Sequence, residues 1–445
     1  MQNRLGKMAG ESKLEAQGRG CNARHSSSNR FPTIMLSYSE FAQQLVATNI
    51  ISDPWLYGAE RFRLEPVVLD SDLFGRICQM AQAVGRMHDE LAQIIWNEPQ
   101  FLDSYFHLTP FQRGMWLASG GRWHGIARVD CFVLQDGRVT FCEMNSDTPS
   151  GEAETVLINQ LLHPSHHELQ NPNAEFEERF VEMVLASGAS VAVAGGGKPT
   201  IGILYPTDLP EDLSMIALYQ EWFQRRGHRV VLGSPYNLHR LADGSITMFD
   251  VPIHTMIRHY KTDWWGERLP IWLDEPEFTD PDPLASQLIP LLEADAEGSI
   301  AVVNPFGSVL TQNKLAMAFF YDHIERFTPA TQRAIVEYLP ETRRLDDMPL
   351  GMPRRNDWVL KSDYGCEGDE VVLGPHVSDA VWEQSLRQSV PARWIAQRYF
   401  QPELIDGAVP NYGVYLIAGQ PAGIFTRLSK QATDYTALVP PTFVR

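Results

Sequence analysis

The chain has no run of 18 apolar residues; the nearest, from Phe180 to Ala194, is broken by Glu182 and by small polar residues. A membrane-spanning helix needs about 20 such residues, so none is expected. The first 30 residues lack the apolar core of a secretory leader. Cysteine is scarce: Cys21, Cys78, Cys131, Cys142 and Cys366 are odd in number and contain no C-x-x-C pair. That speaks against a disulfide scaffold or a zinc ribbon and suits a reducing cytoplasm. A basic excess is missing too. The chain carries 37 Lys and Arg against 55 Asp and Glu, a net charge of −18, which disfavours a general nucleic-acid binder. Common catalytic signatures are absent as well. No G-x-S-x-G elbow occurs, and Gly195-Gly196-Gly197-Lys198 fails as a phosphate loop because Ala192 stands at the first glycine position and Pro199 follows the lysine. His167-Glu168 fails as H-E-x-x-H because position 171 is Asn.

What is present is globular: 445 residues, 44 % hydrophobic and 10 % aromatic. At roughly 150 residues per domain, two or three domains are expected. Residues 1–34 are polar, with Gly18-Arg19-Gly20 and Ser26-Ser27-Ser28, and read as a disordered tail; the folded part is expected to begin near Met35. From Ser37 to Asn97 the pattern is mostly helical. A first segment then runs to residue 198, where Ala, Gly and Val predominate. Residues 199–299 read as a β-α-β unit. Thr200–Tyr205 is strand-like, Met215, Leu218, Tyr219, Trp222 and Phe223 mark one helical face, Gly227 caps it, and Arg229–Leu232 is the next strand. A last segment, 300–445, has strand-like runs at 300–304, 358–361, 371–373, 394–399 and 412–417. Arg258-His259-Tyr260-Lys261 reads as a solvated strand end, and Trp264-Trp265 as core.

The most informative stretch is Ala127–Val133, Asp136-Gly137, and Thr140–Asn145. Asp-Gly between two strand-like runs signals a hairpin. With a two-residue loop, Gln135 opposes Arg138, Asp130 opposes Glu143, and Arg128 opposes Asn145. Alternation then puts Arg128, Asp130, Glu143 and Asn145 on one face, with Val129, Cys131, Cys142 and Met144 on the other. Directly opposed carboxylates repel. Either a divalent cation neutralises them, Mg²⁺ suiting such oxygen donors, or Arg128 alone balances them at a solvated hairpin end. The register also opposes Cys131 to Cys142, a possible cross-strand disulfide that a reducing compartment turns into a core thiol pair.

The line Phe141-Cys-Glu-Met-Asn-Ser-Asp-Thr-Pro-Ser-Gly-Glu resembles the E-x-N-x-D-T-P-x-G pattern of the glutathionylspermidine synthase family. The likeness continues in Arg128-x-Asp130, in Asn304-Pro305 with Asn313-Lys314, and in Trp358-Val-Leu-Lys361-Ser-Asp-Tyr-Gly365-Cys-Glu-Gly368. It closes with Gln397-Arg-Tyr-Phe and with the run from Gly413 to Gly423 and Arg427. These pieces stand in the family's order from Ala127 to the C-terminus. The resemblance implies an α/β ATP-grasp fold in circularly permuted order with an inserted β-α-β domain. It also implies an ATP- and Mg²⁺-dependent ligase that joins a glutathione- or peptide-like carboxylate to a polyamine-like amine through an acyl phosphate. Another acid and amine pair, or a non-catalytic nucleotide-binding descendant, stays open.

Carried over by position, the resemblance implies Mg²⁺ at Asp130, Glu143 and Asn145, and Arg128 and Arg427 at the transferring phosphoryl. It implies Lys314, Lys361, Gly365, Gly368 and Gln397 at ATP, with Asp147 and Ser150 facing the acid substrate. Phosphoryl transfer needs charge neutralisation and alignment more than a covalent nucleophile, and these residue types supply both. Two positions depart from the family: Ser362 stands where Pro is common, and Glu367 where a basic residue is common. The implied partners are small molecules, with no nucleic acid and no membrane.

Overall fold

The longest helix, α1 (Ser71–Asn97), begins where the Asp70 carboxylate accepts a hydrogen bond from the Leu73 amide at 2.7 Å, capping the first turn. Ile77, Met80, Ala81, Val84, Leu91 and Ile95 recur at helical spacing and are buried, forming the stripe that faces the core. This is a computed structural model, which describes residues 36–207, 212–266, 269–275, 284–348, 354–365, 370–430, 433 and 436–445. The expected tail at 1–34, the start of the helix expected after Tyr205, and Cys366, Glu367 and Gly368 lie outside the described residues. Residues 36–445 belong to one contact unit. Among the described residues no helix is long and apolar enough to cross a membrane.

Upstream of α1 the chain is less helical than expected. Tyr38–Val46 is a helix, but residues 51–70 form short strands, because Pro54, Gly58 at φ +83° and Pro66 interrupt a helical run. Downstream, β1 (Ile126–Val133) and β2 (Val139–Asn145) form the expected hairpin. Its loop has three residues rather than two. The Leu134 amide donates to the Arg138 carbonyl, and Gly137 sits at φ +79°. Cys131 is therefore opposed to Phe141, and a bulge restores the register beyond it, so that Asp130 faces Glu143 and Arg128 faces Asn145. Cys131 and Cys142 are free thiols and not a directly opposed pair. Gly151 at φ +95° then opens α2 (Glu152–Leu162).

The β-α-β reading holds. β3 (Ile201–Leu204), α3 (Leu213–Arg225) and β4 (Val230–Gly233) follow one another, with Gly227 at φ +77° after the helix. β5 (Thr255–Arg258) and β6 (Ala301–Val303) complete a four-stranded parallel sheet in the order β6-β5-β3-β4. The sheet thus draws one strand from beyond residue 299. The short helix α4 (Ser308–Thr311) and α5 (Leu315–Asp322) lead from it to a second, antiparallel sheet. There β7 (Thr342–Arg344), β8 (Trp358–Ser362), β9 (Val371–Leu373) and β10 (Trp394–Arg398) lie in the order β7-β10-β8-β9. Trp358, Leu360, Trp394 and Ala396 pack into a small core with Trp382 on one face. Alternation sends Lys361 and Gln397 to the other face.

Two long closing strands, β11 (Val409–Ile417) and β12 (Gln420–Ser429), return to the hairpin and make a sheet in the order β12-β11-β1-β2. α1 covers one side of it, its apolar stripe clustering with Val129, Cys131, Val414 and Leu416. The opposite side carries the polar square.

Candidate functional site

The β1 and β2 strands bring Arg128, Asp130, Glu143 and Asn145 together on one face, as the hairpin reading expects, and β11 and β12 add Asn411 and Arg427. This is not a solvated hairpin end: Asp130 is 1 % exposed and Arg128 5 %. Arg128 grips Asp130 with two parallel bonds, Nε to Oδ1 at 2.7 Å and Nη2 to Oδ2 at 3.0 Å. Its third nitrogen, Nη1, donates to the Ser150 carbonyl at 2.5 Å. Arg427 Nη2 reaches Asp130 Oδ2 at 2.7 Å and Asn411 Oδ1 at 3.2 Å. Both guanidinium groups lie over the Phe425 ring, at 5.7 and 5.5 Å.

Close packing needs Gly413. It pairs with Asp130, and a Cβ there would stand 2.7 Å from Arg128 Cδ and 3.0 Å from Asp130 Oδ1. Burial would raise the Asp130 carboxyl, but Arg128 and Arg427 outweigh it and hold the group below the ordinary range. Glu143 is treated alike: burial and Asp130 raise it, Lys314 and Lys361 lower it, and the net shift is downward. Asn145 Nδ2 lies 3.3 Å from Asp130 Oδ2 and 3.4 Å from Glu143 Oε1, so one amide bridges both carboxylates. Among the described residues no three His, Cys, Asp or Glu side chains converge. What the square offers a cation is two carboxylates, joined by the Asn145 amide oxygen once that amide turns its Nδ2 away from them; these are the hard donors that Mg²⁺ takes, with waters completing the shell.

Both candidate lysines arrive at β2 from other segments. Lys314, at the start of α5, lies 3.5 Å from Glu143 Oε2 and donates to the Gly365 carbonyl. Lys361, on β8, donates to the Cys142 carbonyl at 2.9 Å and to Gln397 Oε1 at 2.8 Å. Gln397 is fixed in turn by the Thr342 hydroxyl at 3.1 Å. Residues 363–365 dock on the segment that precedes α5. The Lys314 amide donates to the Asp363 carbonyl, Tyr364 OH to the Val309 carbonyl, and Arg393 holds the Asp363 carboxylate. Ser362, the departure from the family pattern, accepts from the Gly365 amide at 3.0 Å and donates to Glu370.

The loop after β2 is anchored from below. Asp147 is 3 % exposed and both its oxygens are taken: Oδ1 by Arg258 and Ser308, Oδ2 by the Thr262 amide and hydroxyl. It can act toward a substrate only through the loop that it holds. The Ser150 side chain is exposed, while its carbonyl accepts from Arg128 and from Tyr415 OH. Arg258 is a correction. It is 2 % exposed and bonded to Asp147, Ser308 and the carbonyls of Asn304 and Tyr260. The reading as a solvated strand end overlooked that it closes the parallel strand β5, whose C-terminal edge is where ligand sites of such sheets form. Trp265, by contrast, is core, as expected.

Two further residues stand in the quoted motifs but were given no role from the sequence. Asn304 binds the amides of Gly125 and Ile126 through Oδ1 and the carbonyls of Ile126, Ser146 and Asp147 through Nδ2. Glu152 is fully buried beside Arg128, and burial pushes its carboxyl up to about 8. An acidic residue directly after the loop glycine was the only signal for it.

Residues 75–445 match the family model for glutathionylspermidine synthase preATP-grasp. Among curated proteins no sequence matches the chain. Of solved structures, an apo glutathione synthetase-like effector from Globodera pallida superposes with a TM-score of 0.60 at 10 % identity, over 94 % of this chain and 98 % of that one. That likeness concerns the fold. A putative γ-glutamylcysteine synthetase from Methylobacillus flagellatus gives a TM-score of 0.44 at 11 % identity, over 84 % and 87 % of the two chains, too slight to bear on the architecture.

Proposed function

Because the chain belongs to the glutathionylspermidine synthase preATP-grasp family, matched over 371 of its 445 residues (75–445), we propose that it is an ATP-dependent ligase that joins a carboxylate to an amine. The fold in this reading is an ATP-grasp in circularly permuted order, with the parallel sheet as its inserted unit. One observation carries the proposal: Lys314 and Lys361, from separate segments, both meet β2 beside the paired carboxylates Asp130 and Glu143. Two lysines, two arginines and two acids in one place form a site for a polyphosphate with its cation.

Asp130, Glu143 and Asn145 would hold Mg²⁺, which when bound supplies neutralisation of phosphate charge. Lys314 and Lys361 would bind nucleotide phosphates, Lys361 oriented by Gln397, with Gly365 near them. Arg128 and Arg427 would hold the phosphoryl group on its way to the substrate carboxylate. The amine would then attack the acyl carbon of the resulting acyl phosphate, form the C–N bond with loss of a proton, and expel inorganic phosphate, leaving an amide. Ser150, exposed on the loop that Arg128 pins, is the nearest candidate for the acid substrate, with Asp147 fixing that loop. A glutathione- or peptide-like acid and a polyamine-like amine are the substrates that we propose.

The test is calorimetric titration of ATP with and without Mg²⁺ on wild type and on Lys361→Ala. Metal-dependent binding that the substitution weakens by about tenfold or more supports the site. A folded wild type that binds no ATP overturns the ligase reading.

A further inference from the structure

Asp130 Oδ2 is the most heavily engaged oxygen of the square. It receives Arg427 Nη2 at 2.7 Å, Arg128 Nη2 at 3.0 Å and Asn145 Nδ2 at 3.3 Å. The two arginines are not held alike. Arg128 uses all three guanidinium nitrogens, on Asp130 and on the Ser150 carbonyl, and its side chain is 7 % exposed. Among the described residues Arg427 reaches its partners with Nη2 alone and its Nε is buried without a hydrogen-bond partner; its side chain is 18 % exposed. One guanidinium is locked; the other is under-satisfied and can turn.

We propose that Arg427 is a built-in competitor for the metal position: it neutralises Asp130 until a divalent cation takes that carboxylate, and it then turns to an anionic oxygen in the same site. This rests on the metal reading of the square given above. The argument is electrostatic. Asp130 already balances two guanidinium groups, and a divalent ion would be a third positive group on one buried carboxylate; the repulsion falls on the cation held least, which is Arg427 and not the bidentate Arg128. A displaced guanidinium with an idle Nε–H needs an acceptor, and a tetrahedral anion offers paired oxygens in the geometry that guanidinium prefers. The metal and the anion therefore assist each other's binding through Arg427, and Arg128 stays as the fixed wall of the site.

The test is Mn²⁺ binding to the full chain without nucleotide, read from the paramagnetic resonance of free Mn²⁺. Wild type, Arg427→Gln and Glu143→Ala are compared, with folding checked by circular dichroism. Arg427→Gln keeps length and polarity without the charge, and it is expected to bind Mn²⁺ on the order of tenfold more tightly than wild type. Sulfate, as a tetrahedral dianion, should tighten Mn²⁺ binding in wild type, and this second measurement needs no variant. Equal or weaker Mn²⁺ binding in Arg427→Gln, or no effect of sulfate on wild type, overturns the proposal. The two readings fail differently. If wild type binds Mn²⁺, Glu143→Ala abolishes it and Arg427→Gln changes nothing, the metal site stands and the competition falls. If folded wild type and Arg427→Gln both fail to bind Mn²⁺, the metal reading itself falls, and the competition with it.

Discussion

Arg258 donates to the Asp147 carboxylate at 2.6 Å with the two side chains 0 % and 4 % exposed, so a charge pair lies wholly inside the protein. It joins the C-terminal end of β5 to the loop that follows the β1–β2 hairpin, and Ser308 at the head of α4 binds both partners. Burial would raise the Asp147 carboxyl, and Arg258 overrides it to hold the group below the ordinary range. Removing one partner strands the other's charge. Arg258→Met should cost about 3–5 kcal/mol in urea unfolding, and the double variant Arg258→Met/Asp147→Asn should recover part of that loss. A loss under about 1 kcal/mol would mean that the pair is dispensable.

Gly413→Ala tests the packing of the square without removing a charged group. The added methyl meets Arg128 Cδ at 2.7 Å and Asp130 Oδ1 at 3.0 Å, and the bidentate grip of Arg128 gives it little room to yield. The expected cost is about 1–3 kcal/mol of stability. Mg²⁺-dependent ATP binding should weaken more than binding of ATP alone, because Asp130 shifts while the lysines do not. Equal weakening of both would separate Gly413 from the proposed role of Asp130 at Mg²⁺.

The polar square was legible in the sequence, but for a reason that was only half right. The Asp-Gly pair signals a turn without fixing its length. The loop has three residues, and the bulge beyond Cys131 returns Asp130 and Glu143 to the expected register. Two irregularities offset each other, and the alternation of faces at the open end survives. Arg258 was misread because its partners, Asp147 and Ser308, lie 111 and 50 residues away in the chain. Spacing reports partners within one element, not across the fold. Gly413 and Phe425 were invisible as site residues for the same reason, since their importance lies in what sits across the sheet.

Glu152 sets a pH dependence. Burial lifts its carboxyl from 4.5 to about 8 in the folded protein. Between those values the unfolded chain releases the proton while the folded chain keeps it, so folded stability falls as pH rises from about 4.5 to about 8. Glu152→Gln removes that dependence. Its stability relative to wild type should rise across the window, by up to about 1.4 kcal/mol per pH unit. Thermal unfolding at pH 5 and pH 8 measures it, and parallel profiles would show that Glu152 is charged in the fold. His88 and His124 act on the acid side. Burial lowers them to about 4 and about 3, so below pH 6.5 the unfolded chain takes up protons that the folded chain refuses, and stability falls as pH drops.

Asn304 offers the sharpest test of how the site is held. One amide satisfies the backbone at Gly125 and Ile126, where the hairpin begins, and at Ser146 and Asp147, where it ends. Asn304→Ala leaves these groups buried without partners, at about 1–3 kcal/mol for each that water cannot reach. Asn304→Asp should be worse. It keeps the acceptor toward the two amides but aims a second oxygen at three carbonyls that need a donor, which forces a buried carboxyl to stay protonated. The order expected in chemical denaturation is wild type, then Ala, then Asp, with the gap between the variants widening as pH rises above about 4, where the unfolded chain's carboxyl ionises and the buried one does not. Asp equal to wild type would mean that only the two amides matter, and that the carbonyls of Ser146 and Asp147 find other donors.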